Sequence, residues 1–171
     1  MLWVNWACWH LASLIDRVKD VESSAETDAC WSCWLKSPVV LIVLRGYPGY
    51  QCPFCNRQAR DFAEKAQEFN RLGAKVIMVY PGPSRDLGSR ATEFLSDKSF
   101  PDTFDMLLDP GYEFTVLYGL RWDAPNETAY PSTFLIDKQG VIFFSKIVKE
   151  HGGRTTAAEI LDLLPKPHAG R

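Results

Sequence analysis

The sequence lacks the marks of several broad classes of protein. It has no basic excess, because 19 lysines and arginines face 21 aspartates and glutamates, which argues against nucleic acid or an anionic membrane as a partner. It has no run of about 18 apolar residues, so no membrane-spanning segment is expected. Its three histidines are too scattered for a metal site or a catalytic triad. These absences leave the class of ordinary globular proteins.

What is present is a chain of 171 residues, of which 46% are hydrophobic and 23% charged, enough for one domain with a substantial core. Residues 1–36 are predicted to be an N-terminal extension of helix and loop, rich in tryptophan and cysteine, and residues 37–171 the main domain. Trp3, Trp6 and Trp9 share one face of that helix, which packs on the domain or forms a homodimer contact. The apolar N-terminus lacks the positive region of a signal peptide, which favours the cytoplasm.

The middle of the chain predicts alternating strands and helices. Residues 38–44 are an unbroken apolar run of strand length, typical of a strand that is buried on both faces. An amphipathic helix over residues 54–72 ends at Gly73, and residues 74–80 form a second buried strand. This order defines a βαβ unit with two parallel strands.

The remaining segments complete a mixed sheet with helices on both faces. They predict a helix over 84–98, a strand over 106–108, a helix over 112–118 and an antiparallel hairpin of residues 132–137 and 141–148. Thr156 and Glu159 form a capping box that opens a final helix, which runs through Leu164.

Four of the five cysteines fall into two Cys-x-x-Cys pairs, Cys30/Cys33 and Cys52/Cys55. In a chain of this size such pairs indicate redox or metal chemistry rather than a disulfide scaffold. Cys52 and Cys55 lie at the start of a helix, where unpaired N–H groups and the helix dipole favour a thiolate. Between a buried strand and an amphipathic helix, this pair predicts thioredoxin-like redox activity, with Cys52 at an exposed cap. The fifth cysteine, Cys8, is predicted to be an unpaired thiol.

Two motifs carry a resemblance to a known family. Residues 48–55, PGYQCPFC, are similar to the Pro-x-x-x-Thr-x-x-Cys loop of the peroxiredoxin-like (AhpC/TSA) branch of the thioredoxin-fold redoxins, with Cys52 in place of the threonine. Residues 130–137, YPSTFLID, resemble the thioredoxin segment that begins with a cis-proline and enters the hairpin. Residues 74–118 resemble the strand and helix that redoxins insert. The resemblance implies an α/β, thioredoxin-like fold with a central mixed β-sheet flanked by helices.

The resemblance also implies roles for the matching positions. The residues that it places in support of the active site are Pro48, Pro53, Phe54, Tyr130, Pro131 and Arg121. Pro131 is expected in the cis form beside the cysteine pair, and Gly152 and Gly153 are expected to line the same groove. The family's arginine that pairs with the thiolate is missing from its place before the hairpin. Arg121 or Arg45 is therefore expected to replace it.

The leading functional hypothesis is a thiol–disulfide oxidoreductase in which Cys52 attacks a disulfide and Cys55 resolves the mixed disulfide. The alternative is a thiol-dependent peroxidase, in which Cys55 attacks peroxide and Cys52 condenses with the resulting sulfenic acid. A third is a zinc-binding interaction module formed by Cys30, Cys33, Cys52 and Cys55, and a fourth is a redox-inactive scaffold. In a redox enzyme, Cys30 and Cys33 would be either two thiols without a redox role in the N-terminal segment or a second pair that relays electrons to Cys52 and Cys55.

The two redox hypotheses require no cofactor and no metal. They imply protein or small-molecule thiols and disulfides, or peroxides, as substrates. They also imply a reductant of the thioredoxin or glutathione type, which returns electrons to the cysteine pair after each turnover.

Overall fold

The first strand of the fold lies at the centre of its sheet. A computed structural model of the chain describes residues 37–166, and in it β1 (Val39–Val43) is buried at all five positions. Val40 and Ile42 belong to the larger of two apolar clusters, while the residues on either side of them belong to the smaller one. Because successive side chains of a strand point to opposite faces, β1 has a core on both faces, as its sequence predicts.

The sheet has five strands in the order β3-β2-β1-β4-β5. The other four strands are β2 (Lys75–Gly82), β3 (Phe104–Pro110), β4 (Ser132–Ile136) and β5 (Ile142–Ile147). The first three strands are parallel to one another, and β4 and β5 form the antiparallel hairpin beside β1. The predicted mixed sheet is confirmed. β3 is longer than the predicted strand over residues 106–108, because it stays paired with β2 as far as Gly82.

Helices cover both faces of the sheet, as predicted. They are α1 (Pro53–Glu64), α2 (Ala66–Arg71), α3 (Leu87–Leu95), α4 (Glu113–Leu117) and α5 (Ala157–Leu163). The first three and α5 supply residues to the larger cluster, and Phe114 of α4 belongs to the smaller one. The Thr156 half of the predicted capping box is confirmed, because its hydroxyl accepts the N–H of Glu159 at 3.2 Å, while the Glu159 carboxylate accepts from Lys146 Nζ at 3.3 Å. None of the helices between residues 37 and 166 combines the length and hydropathy that a bilayer crossing needs.

Two expectations differ from the structure or lie beyond it. The prediction of a single helix over residues 54–72 is wrong. The backbone leaves helical geometry at Lys65, where ψ is 8°, and this break divides the segment into α1 and α2. No glycine or proline marks this break, so the apolar pattern runs through it. The N-terminal extension, with Cys8, Cys30 and Cys33, lies outside the described residues.

Gly46, in the loop that leads from β1 to the cysteines, occupies a position that only glycine fits. Its φ is +70°, and a Cβ atom there would lie 1.9 Å from the carbonyl oxygen of Pro81. Because the obstacle is backbone, Gly46→Ala is expected to cost about 3 kcal/mol from the left-handed conformation and the overlap together. Gly73→Ala is the matched control, with φ +63° and open space around the added Cβ. Chemical denaturation of the two variants should show the larger loss of unfolding free energy for Gly46→Ala. Equal losses would show that the overlap with Pro81 adds no cost.

Candidate active site

Cys52 and Cys55 meet at the first turn of α1. The helix begins at Pro53, whose fixed φ suits a first helical position, and Cys52 is its N-cap residue. The N–H of Cys55 donates to the Cys52 Sγ at 3.4 Å. The sulfur thus takes the place of the side-chain oxygen that normally satisfies a free N–H at a helix start. The predicted position of the pair at the mouth of a helix is confirmed.

The exposure of Cys52 differs from expectation. Both cysteines have 0% exposed surface and belong to the larger apolar cluster, so the predicted exposed cap is wrong. The reason is the loop between β5 and α5, which brings Arg154 over the pair. Arg154 Nη1 lies 3.4 Å from the Cys55 Sγ and Nη2 lies 3.9 Å from the Cys52 Sγ. One guanidinium therefore contacts both sulfurs.

The two thiols have opposite acidities. A hydrogen bond from the Cys55 thiol lowers the pKa of Cys52 to about 5, against the opposing effect of burial, with help from the Cys55 N–H, Arg154 and Arg45. Burial, followed by the hydrogen bond to Cys52, raises the pKa of Cys55 well above its usual range. At neutral pH the pair is therefore a Cys52 thiolate beside a Cys55 thiol, both in the reduced state.

Arg154 is the functional residue that the sequence patterns missed. It follows Gly152 and Gly153, which were expected to line the groove of the cysteines, so this expectation pointed to the right loop. The arginine itself lies 99 positions from Cys55 along the chain, outside either motif. Its Nε also donates to the backbone carbonyl of His151 at 3.1 Å, which holds the guanidinium within its own loop.

Of the two arginines that were predicted to replace the family's arginine, only Arg45 acts on the pair, since it contributes to the low pKa of Cys52. Arg121 does not reach the sulfurs. Its guanidinium donates to backbone carbonyls of its own loop, including that of Thr128 at 2.5 Å, and lies 4.1 Å from the centre of the Tyr112 ring. The prediction for Arg121 is therefore wrong, because the residue holds the loop that precedes β4.

Arg45 is itself buried and is fixed by a network of hydrogen bonds. Its Nε donates to Glu127 Oε2 at 2.5 Å, and its Nη2 donates to Glu127 Oε1 at 3.1 Å and to the Asn126 carbonyl at 2.5 Å. Its Nη1 donates to the Tyr50 hydroxyl at 2.7 Å. His151 Nε2 lies 2.8 Å from the same Glu127 carboxylate. Glu127 thus joins the three loops that surround the cysteines.

Aromatic rings lie around the mouth of the pair. Phe54 is 37% exposed, and its ring centre lies 6.2 Å from that of His151. Trp122 lies 5.3 Å from His151 and stacks on Tyr130 at 5.0 Å. Phe54 and Tyr130, two of the predicted supporting residues, therefore belong to one chain of ring contacts.

Pro131 does not have the expected cis bond, because the peptide bonds of the described residues are all trans. The Pro131 carbonyl accepts the N–H of Val148 at 2.9 Å. The pairing between β4 and β5 thus extends back to Pro131, and the peptide bond before this proline is trans. Pro48 lies half-buried in the bend that precedes the cysteines, and no contact joins it to either sulfur in the structure.

Within residues 37–166, no group of three or more histidine, cysteine, aspartate or glutamate side chains has the arrangement of a metal site. Two members of the four-cysteine zinc hypothesis, Cys30 and Cys33, lie outside the described residues. Cys52 and Cys55 by themselves hold each other in a hydrogen-bonded pair.

Comparison with known proteins identifies the family. The model of the AhpC/TSA family matches residues 32–145, two thirds of the chain. The chain belongs to the AhpC/TSA family. Among curated AhpC/TSA relatives, chloroplastic peroxiredoxin Q of Arabidopsis thaliana is 31% identical over 100 residues, which cover 58% of this chain and 44% of the relative. Peroxiredoxin Q of Oryza sativa subsp. japonica is 30% identical over 101 residues, which cover 59% and 44%. The chain spans less than half the length of these relatives.

Solved structures share the fold at low identity. A peroxiredoxin-like protein from Aquifex aeolicus has a TM-score of 0.59 and 20% identity, over 75% of this chain and 70% of that one. A secreted disulfide oxidoreductase of Mycobacterium tuberculosis has a TM-score of 0.55 and 19% identity, over 78% and 84%. These similarities support the thioredoxin-like fold of this AhpC/TSA member, and they span both peroxiredoxins and disulfide oxidoreductases.

Proposed function

We propose that this AhpC/TSA protein is a thiol–disulfide oxidoreductase in which Cys52 attacks and Cys55 resolves. The observation that carries this proposal is the contact of the Cys52 sulfur with the Cys55 N–H at the start of α1, where the pKa of Cys52 is low and that of Cys55 is high. A thiolate is the attacking species in disulfide exchange. At neutral pH, Cys52 is the member of the pair that is ready to attack.

The reaction proceeds in two exchanges. The Cys52 thiolate attacks one sulfur of a substrate disulfide, forms a mixed disulfide and releases the other half of the substrate as a thiolate. That thiolate takes the proton of Cys55, which then attacks the Cys52 Sγ and expels the second substrate thiolate. The products are a Cys52–Cys55 disulfide and two reduced substrate groups, which have gained two electrons. One dithiol of the thioredoxin type, or two molecules of a monothiol of the glutathione type, return the pair to its starting state and become a disulfide themselves, and the exchange also runs in reverse.

A thiol-dependent peroxidase is the second candidate, supported by the peroxiredoxin relatives, the burial of both sulfurs and the shorter distance from Arg154 to Cys55. Buried sulfurs admit a small oxidant more readily than a protein disulfide. In this reaction the Cys55 thiolate attacks a peroxide oxygen, the O–O bond breaks, and an alcohol or water leaves. Cys52 then condenses with the Cys55 sulfenic acid and releases water. The raised pKa of Cys55 opposes the first step, which is why this candidate is second.

The two candidates differ in which cysteine is indispensable. Cys52→Ser and Cys55→Ser are assayed in the full-length protein with an aromatic model disulfide and with hydrogen peroxide, and mass spectrometry of peptides locates the modified sulfur. We expect Cys52→Ser to abolish attack on the disulfide, and Cys55→Ser to accumulate the mixed disulfide on Cys52. Cys8→Ser is the control and should react as the parent does. A sulfenic acid trapped on Cys55 of the Cys52→Ser variant, with peroxide consumption lost only in Cys55→Ser, would establish the peroxidase instead.

A further inference from the structure

Gln58 lies one turn after Cys55 on α1, with its side chain 6% exposed. The nitrogen and the oxygen of its side-chain amide each form hydrogen bonds, with Thr155 and Arg154 respectively. Nε2 donates to the Thr155 carbonyl at 3.2 Å and faces the Thr155 hydroxyl at 3.4 Å, while Oε1 accepts from Arg154 Nη1 at 3.3 Å. The helix that carries the cysteines thereby holds the segment that carries Arg154.

The nitrogen that Gln58 holds is also the one that faces a sulfur. Arg154 Nη1 donates both to Gln58 Oε1 and to the Cys55 Sγ. The acceptors of Arg154 within residues 37–166 are this amide oxygen, the His151 carbonyl and the two sulfurs, none of them a carboxylate. Arg45, by contrast, is paired with Glu127. The guanidinium of Arg154 is therefore fixed in place while its charge remains available to the sulfurs.

We propose that Gln58 is a positioning residue of the redox site, whose neutral amide holds Arg154 on the two sulfurs without neutralising it. A glutamate of the same size would pair with the guanidinium and repel a thiolate, and a methionine would remove the acceptor that fixes Nη1. The inference rests on the proposed function in that Cys52 is the reacting thiolate. The other titratable or charged groups around the sulfurs are Arg45 after β1, Tyr80 on β2 and Glu127 behind Arg45.

The test measures the pKa of Cys52 from the pH dependence of its alkylation by iodoacetamide in the full-length protein, with the site resolved by mass spectrometry. Gln58→Glu is expected to raise that pKa by about 1 unit or more, and Gln58→Met to raise it by a smaller amount. Gln67→Met, at an exposed glutamine on α2, is the matched control and should leave the pKa unchanged. An unchanged pKa in both Gln58 variants would overturn the proposal, even if their denaturation midpoints fall.

A double variant decides whether Gln58 acts through Arg154. In an Arg154→Met background, Gln58→Met is expected to produce no further shift in the pKa of Cys52, because the residue that it positions is gone. A shift that adds fully to that of Arg154→Met would overturn the positioning role. The readout is independent of turnover. If the pKa shifts appear as expected but no disulfide is reduced, the proposed function fails while the role of Gln58 stands.

Discussion

Glu127→Met is expected to lower the free energy of unfolding by about 3–5 kcal/mol, because it leaves a buried guanidinium without its counter-charge. The side chain of Arg45 is 3% exposed and that of Glu127 10%, so water cannot replace the carboxylate. The substitution also removes the acceptor that His151 shares with Arg45. Urea denaturation at pH 7, followed by circular dichroism, measures the loss.

Two further variants separate the charge effect from general damage. Glu93→Met removes an exposed partner of Arg90 on α3 and should leave the denaturation midpoint almost unchanged. Arg45→Met combined with Glu127→Met should recover a large part of the stability, because no buried charge is then left unpaired. A loss in Glu127→Met no greater than that in Glu93→Met would contradict the expected cost.

The same ion pair predicts a dependence of stability on pH. Burial alone would raise the pKa of Glu127, but hydrogen bonds from Arg45 and His151 lower it below its usual value. A carboxyl group whose pKa is depressed by folding contributes stability above its unfolded pKa, near 4.3, and loses it as the pH falls through the folded value. The unmodified protein is therefore expected to lose more stability than Glu127→Met when the pH is lowered from about 5 to 3. Parallel denaturation series over that range provide the measurement.

Arg154→Met is expected to raise the pKa of Cys52 by about 1–2 units, since it removes a positive charge that contacts the sulfur. Only the thiolate reacts, so the reactivity of Cys52 should fall as the pH drops through about 5 in the unmodified protein and at a higher pH in the variant. At pH 5 this amounts to a roughly 5- to 50-fold slower alkylation of Cys52. The pH profile of iodoacetamide labelling measures the shift.

Arg57→Met is the matched control for Arg154→Met. Arg57 lies on α1, within one turn of Cys55, but its guanidinium faces the Phe54 ring at 5.8 Å. Its removal should leave the midpoint of Cys52 labelling in place. An Arg154→Met profile that coincides with those of Arg57→Met and the unmodified protein would show that Arg154 does not contribute to the acidity of Cys52.

Local patterns were sufficient for most of the fold. The apolar run of β1, the glycine turn of the hairpin and the helix cap at Thr156 each act over a few residues, so each is visible in the sequence and is confirmed. The break at Lys65 has neither glycine nor proline at it. For this reason no local pattern indicated it.

The site was predictable only in part, for a physical reason. The cysteine pair is a local motif, and its place at a helix start follows from the residues beside it. Arg154 and Glu127, however, reach Cys55 and Arg45 from 99 and 82 positions away. Single arginines and glutamates are common on protein surfaces, so only the folded chain distinguishes these two. The prediction for Arg121 failed because nearness to the hairpin in sequence is not nearness to the sulfurs.

The contact of Arg154 with both sulfurs also bears on how strongly the pair draws electrons. A thiolate exists only in the reduced pair, so the guanidinium and the hydrogen bonds from Cys55 stabilise the reduced form and not the disulfide. Oxidation leaves the cation without its counter-charge. Each 1.4 kcal/mol of such selective stabilisation raises the reduction potential by about 30 mV. On the proposed function, this stabilisation favours the reverse of the exchange written above, in which the Cys52–Cys55 disulfide takes two electrons from a dithiol.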